Sequence, residues 1–160
     1  METNLTKNPS LLAWLDEKVE LLKPSKIMWI DGSKEQIDAL KKEAVETGEM
    51  IKLNEDLLPD CYLHRTAEND VARVEDRTLI CSREEKDAGP TNHWMEPSKA
   101  YKMLYDIARG SYQGRTMYII PYSMGPVGSP FSKIGVEITD SIYVVLNMNI
   151  MTRIGKKVLD

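Results

Sequence analysis

The chain has 160 residues, the size of one ordinary domain and enough to bury a single core. With 42% hydrophobic and 29% charged residues it is not a disordered chain, and no apolar run approaches the ~20 residues that cross a bilayer. A net charge of -4 removes any global electrostatic case for nucleic acid, so an anionic ligand would need a local basic cluster.

Residues 1–10 carry Glu2 and Lys7 and no apolar segment, which does not resemble a secretory signal and predicts a cytoplasmic, soluble protein. Ser10 then precedes Leu11, Leu12, Leu15, Val19 and Leu22, an apolar stripe at helical spacing that Pro24 stops, so a helix is predicted over 11–22. Residues 26–30 read as a short strand ending at the Asp31-Gly32 turn. Ser33 and Gln36 form a capping box that opens a helix ending near Gly48. A strand at 50–53 that joined the first in one sheet would make the crossover right-handed and the sheet partly parallel. The class is then α/β. The turn "IDGSKEQ" holds one glycine and two acids where a phosphate would have to sit, which argues against a nucleotide there.

From 54 to 90 the chain is charged and weakly periodic, with extended candidates at 61–65 and 77–82. Cys61 and Cys81 are too few for a disulfide scaffold and lack a CxxC spacing, so they read as reduced, half-buried thiols. His64 and His93 have no metal-ligand partner at a suitable offset and read as exposed loop or strand residues. In "NDVARVEDRT", Arg73 and Arg77 stand beside Glu75 and Asp76, and composition alone gives a solvated, self-neutralised surface.

Pro97 suits the first position of a third helix that ends before Gly110, with Ala100, Tyr101, Leu104, Tyr105 and Ala108 on a face expected to be core. Residues 115–121 read as a buried strand, broken by a loop over 123–130 with Gly125, Pro126, Gly128 and Pro130. This is no phosphate loop: Pro126 and Pro130 each delete a backbone donor, and GxxxxGK[ST] occurs nowhere. Prolines and glycines there give fixed shape, for ligand lining or for structure. Residues 133–139 alternate as a strand and Asp140-Ser141 offers a cap. The stretch from Ile142 is expected to be helical, with Val144, Val145, Met148 and Met151 on its face and Gly155 as its stop. Val158 and Leu159 start an apolar pattern without continuation, so the chain reads as cut.

"GRTMYIIPYSMGPVGSPFSKIGVEITDSIYVV" followed by "MTRIG", together with "DVARVEDRT", resembles the N-terminal region of GTP-dependent phosphoenolpyruvate carboxykinases. The order of the blocks agrees, and the likeness extends from "NPSLLAWL" through "GEMIKLNED" to the end, weakest over 83–97. The resemblance implies an α/β fold, a mixed sheet with flanking helices, forming over 1–160 the substrate-side domain of a larger two-domain enzyme. That enzyme class is a lyase (decarboxylase) converting oxaloacetate and GTP to phosphoenolpyruvate, GDP and carbon dioxide at the entry to gluconeogenesis, with Mn²⁺ and Mg²⁺. Of the family's functional residues, the arginine of "ARVE" maps here: Arg73, implied to contact the substrate carboxylate. Arg77 has no such role. The resemblance places the nucleotide loop, the Mn²⁺ ligands and the guanine-binding aromatics beyond Asp160, so this chain holds no catalytic, metal or cofactor residue and should not turn over alone. The missing C-terminal catalytic domain is its expected partner, with the 123–130 loop at the junction. The alternative is a stand-alone, non-catalytic module that binds a dicarboxylate or a partner protein.

Overall fold

The structure, a computed structural model, describes residues 4–70 and 74–159. The first helix, α1 (Pro9–Leu22), starts two residues earlier than its apolar stripe predicts, because Asn8 is the cap: its side chain accepts from the Ser10 and Leu11 amides, and Pro9 takes the first helical position. β1 (Lys26–Trp29) follows, then α2 (Lys34–Glu46). Ser33 caps α2 as expected, by accepting from Gln36 N, but the reciprocal bond of the capping box is absent. Gln36 instead reaches across the turn, accepting from Asp31 N at 2.8 Å and donating to Trp29 O at 2.9 Å.

β2 (Ile51–Lys52) departs from expectation. It does not join β1 but pairs antiparallel with β3 (Tyr62–Leu63) as a separate two-stranded ribbon. Asn54 explains it: its backbone and side-chain oxygens accept from Asp56, Leu57 and Leu58, turning the chain back on itself. Closing so short a loop costs less entropy than a crossover. A short 3-10 turn (Glu75–Arg77), β4 (Leu79–Ile80), a second turn (Glu85–Ala88) and β5 (His93–Trp94) follow, with β4 and β5 paired in parallel.

The third helix, α3 (Pro97–Ala108), has the predicted limits, but only part of its apolar face is core. Ala100 is buried and Tyr105 and Ala108 pack on the α1 side, whereas Tyr101, Leu104 and Ile107 are 66%, 56% and 72% exposed. Helical spacing identifies an apolar face but not what covers it.

The main sheet is mixed. β6 (Thr116–Met124) is its centre, parallel to β1 and antiparallel to β7 (Lys133–Thr139); after α4 (Ile142–Met151), β8 (Arg153–Ile154) pairs with the end of β6 that β1 leaves free. Side chains alternate across β6, so one strand serves two cores. Met117 and Ile119 face α1, with Leu15, Leu21, Leu22 and Trp29; Tyr118 and Ile120 face α2 and α4, with Leu40, Ala44, Val145 and Leu146. The α/β fold with a mixed sheet between helical layers is thus the one the resemblance implies.

Ser141 caps α4, as its position suggests. The buried face is Ile142, Val145 and Leu146, while Met151 is 72% exposed. Gly155 does not stop this helix. The helix ends at Met151, and β8 intervenes before Gly155 opens a last 3-10 turn (Lys156–Val158) that buries Val158. Among the described residues no helix is long and apolar enough to cross a membrane.

Candidate functional site

In an open α/β sheet, ligands and partners gather at the carboxyl ends of the strands, here those of β1 and β6. The end of β1 is filled by the protein itself. Asp31 Oδ1 accepts from Ser33 N at 2.7 Å, Asp31 N is held by Gln36, and Asp31 O accepts from Lys156 N at 3.0 Å. Gly155 lies so close that a Cβ on it would stand 2.1 Å from Asp31 O. With Asp31 and Ser33 amides engaged, an acid in the turn and the C-terminal strand packed against it, this turn is no anion cradle, in line with the reading of "IDGSKEQ".

The end of β6 is different. Ser123 is buried and donates to Gly125 O at 3.2 Å, starting the loop. Serines then fold it into two consecutive turns. Ser129 N donates to Pro126 O and Ser132 N to Ser129 O, both at 3.1 Å; Ser129 Oγ accepts from Phe131 N, and Ser132 Oγ donates to Ser129 O. The fixed shape read from prolines and glycines is therefore secured by Ser129 and Ser132, a signal that serine-turn chemistry carries in the sequence. This loop presents apolar side chains to solvent: Phe131 is 88% exposed, Ile134 60%, Met124 55% and Val127 42%.

Cations flank the same tip. Arg153 is the register partner of Ser123 and Lys133 that of Met124. Both are exposed and, among the described residues, neither is in an ion pair. The lysines beside α2 contrast with them. Lys41 holds Asp60 at 2.8 Å, Lys52 holds Glu55 at 2.9 Å, and Lys34 holds Asp38, so the cleft between α2 and the β2–β3 ribbon is self-neutralised. Their hydrogen bonds keep the Asp60 and Glu55 carboxyls below the usual carboxylate range. An acidic protein thus keeps uncompensated positive charge around one apolar hairpin tip.

Arg73, the substrate contact implied by the resemblance, lies outside the described residues. Arg77 is exposed at the end of its 3-10 turn, as a solvated arginine should be. His93 is exposed in β5, but His64 is not the exposed residue expected: it is half-buried, stacked on Tyr143 with ring centroids 4.1 Å apart, and its Nδ1 lies 2.7 Å from Glu49 O. Glu49 in turn accepts from Ser141 Oγ at 2.6 Å and Tyr143 N at 2.9 Å. His64 is therefore part of the clasp joining the β2–β3 ribbon to the start of α4. Cys61 is half-buried and Cys81 exposed, both as free thiols. Among the described residues no three His, Cys, Asp or Glu side chains converge as a metal set.

The outward strand end of this mixed-sheet α/β domain thus carries both apolar and cationic side chains. Residues 13–160 match the family model described as "Phosphoenolpyruvate carboxykinase N-terminal domain", and the chain belongs to that family. It is similar to the phosphoenolpyruvate carboxykinase (GTP) of Anaeromyxobacter dehalogenans (strain 2CP-C), 51% identical over 97% of this chain and 26% of the relative. The enzymes of the same name from Corynebacterium jeikeium (strain K411), 50% identical over 97% of this chain and 26% of the relative, and Neocallimastix frontalis, 53% identical over 96% and 25%, are alike. The chain spans about a quarter of the length of the curated relatives it matches.

Proposed function

We propose that these residues form the substrate-side N-terminal part of a cytoplasmic GTP-dependent phosphoenolpyruvate carboxykinase. The reaction converts oxaloacetate and GTP to phosphoenolpyruvate, GDP and carbon dioxide, as in gluconeogenesis. The observation that carries the reading is about half identity to enzymes of that name over 97% of the chain. In the reaction the bond from the β-carbon to the departing carboxylate breaks, its electron pair forms an enolate, and the enolate oxygen takes the γ-phosphoryl group. Several negative charges must be held together, which calls for fixed positive groups.

Arg73 is the proposed holder of the substrate carboxylate, since a guanidinium fork matches a carboxylate in two parallel bonds. Metal and nucleotide are proposed to be held by sequence beyond residue 160, as the resemblance to the family implies. By this reading residues 1–160 do not turn over alone. The hairpin tip with Phe131, Lys133 and Arg153 is proposed to face that catalytic part, its exposed apolar and cationic groups supporting the assignment.

Steady-state kinetics of the full-length enzyme test Arg73. Charge-assisted bonds contribute about 1.5–3 kcal/mol each, so Arg73→Ala should weaken substrate use by roughly one to two orders of magnitude. The loss should fall on the KM for oxaloacetate and phosphoenolpyruvate and spare that for the nucleotide. Arg73→Lys should recover only part of it, and Arg77→Ala should behave as wild type. Kinetically indistinguishable Arg73→Ala and Arg77→Ala enzymes would remove Arg73 from the site.

A further inference from the structure

β7 is a seven-residue strand that pairs with β6 on one side; among the described residues no strand pairs with its other side. Which of its backbone groups face outward follows from β6. In an antiparallel pair, residues directly opposite either exchange both hydrogen bonds or turn both sets of groups away from each other. The carbonyls of Ile119 and Pro121 accept from Ile30 N and Gly155 N, each at 2.9 Å, on the β1 and β8 side. Their register partners on β7 are Ile138 and Val136, and Ile134 lies opposite Ser123 in the same phase. Ile134, Val136 and Ile138 therefore turn N–H and C=O to the open edge, while Lys133, Gly135, Glu137 and Thr139 serve the ladder with β6.

Edge strands are ordinarily blunted by shortness, proline, a bulge or charge. β1, on the opposite side of the sheet, has only four residues and begins with Lys26. β7 has none of these at its outward positions: they are two isoleucines and a valine, without proline, in an unbroken one-to-one register. Beside them runs an apolar groove lined by Leu11, Trp14, Val136, Val158 and Leu159. Side chains of a strand added here would enter that groove on one face.

We infer that the outer edge of β7 takes up a further β-strand, supplied by the same polypeptide from beyond residue 160. The inference rests on the reading of the chain as the N-terminal part of a longer carboxykinase. Two observations choose this occupant: the relatives extend over about four times the length matched here, and Leu159 already lines the groove, so the polypeptide is at hand without a second molecule.

The test is residue-resolved hydrogen–deuterium exchange on the full-length protein. The amides of Ile134, Val136 and Ile138 should exchange at least ~100-fold more slowly than unstructured amides, at every protein concentration. Val136→Pro, which deletes an outward donor and leaves the β6 ladder intact, should lower the urea midpoint of the full-length protein below that of Val136→Ala. Fast exchange at these three amides with Gly135 and Glu137 protected overturns the inference, as does a Val136→Pro midpoint equal to that of Val136→Ala. Protection lost on dilution, with light scattering falling from dimer to monomer, overturns it in favour of a second copy. An active carboxykinase with a fast-exchanging β7 sinks the edge alone; a protected β7 without carboxykinase activity sinks the functional reading alone.

Discussion

Replacing Gly155 by alanine adds one methyl carbon where the C-terminal strand crosses the β1–α2 turn. The new Cβ would stand 2.1 Å from Asp31 O, 2.4 Å from Asp31 C and 2.7 Å from Gly32 N. All three are backbone atoms, so no side-chain rotation relieves the overlap. The residue also has φ +98° and ψ -168°, a region open essentially to glycine alone that costs an L side chain about 1–3 kcal/mol. Forcing a methyl group into a packed site adds about 1–3 kcal/mol. Together these give about 2–6 kcal/mol, and at about 2–4 °C per kcal/mol for a chain of this size the melting temperature should fall by about 4–24 °C. Gly48→Ala separates the two contributions. Gly48 has φ +79° with nothing within 4 Å of its Cβ position, so it should lose only about 1–2 kcal/mol, or about 2–8 °C. Far-UV circular dichroism melts of both variants and the parent decide the matter. If Gly155→Ala melts with Gly48→Ala, the close crossing of β8 over the Asp31 turn is wrong, and with it the argument that this turn is closed to a ligand.

Two further outcomes are expected. Glu49 accepts from Ser141 Oγ and Tyr143 N at the start of α4, where negative charge is favoured; Glu49→Gln should cost about 1 kcal/mol and Glu49→Ala more, up to about 3 kcal/mol, because the Tyr143 amide loses its partner. Equal urea midpoints for parent and both variants would remove Glu49 as the clasp. Burial, helped by the Glu43 and Glu49 charges, raises the Tyr118 hydroxyl to about 12, against about 10 in an unfolded chain. Above about pH 10 the unfolded chain loses a proton that the folded chain keeps, so stability should fall as pH rises from about 10 to about 12. Tyr118→Phe should flatten that fall in melting curves recorded across the interval, and an unchanged slope would refute the assignment.

What could be read in the residues alone was local. Ser33 before α2, Pro97 at the start of α3, Ser141 before α4 and the alternation of 133–139 each act within a few residues, through a cap, a fixed φ or the pleat, and each is where the sequence puts it. The likeness to carboxykinases was legible for the same reason, since it is carried by contiguous blocks such as "GRTMYIIPYSMGPVGSP". Partnership was not legible. β1 pairs with β6, joining Lys26 to Thr116, while the nearer β2 turns back on β3. Tyr101, Leu104 and Ile107 have the spacing of a core face and are exposed, and Gly155, which looks like a helix stop, is a glycine because Asp31 passes beside it. The apolar hairpin tip itself is local to β6 and β7, but Arg153 is brought beside it only by the pairing of β8 with the end of β6. Propensity and periodicity say what conformation a segment prefers and which side is apolar; which surface covers that side depends on competition among all segments for the same sheet edges, and only the folded chain resolves that competition.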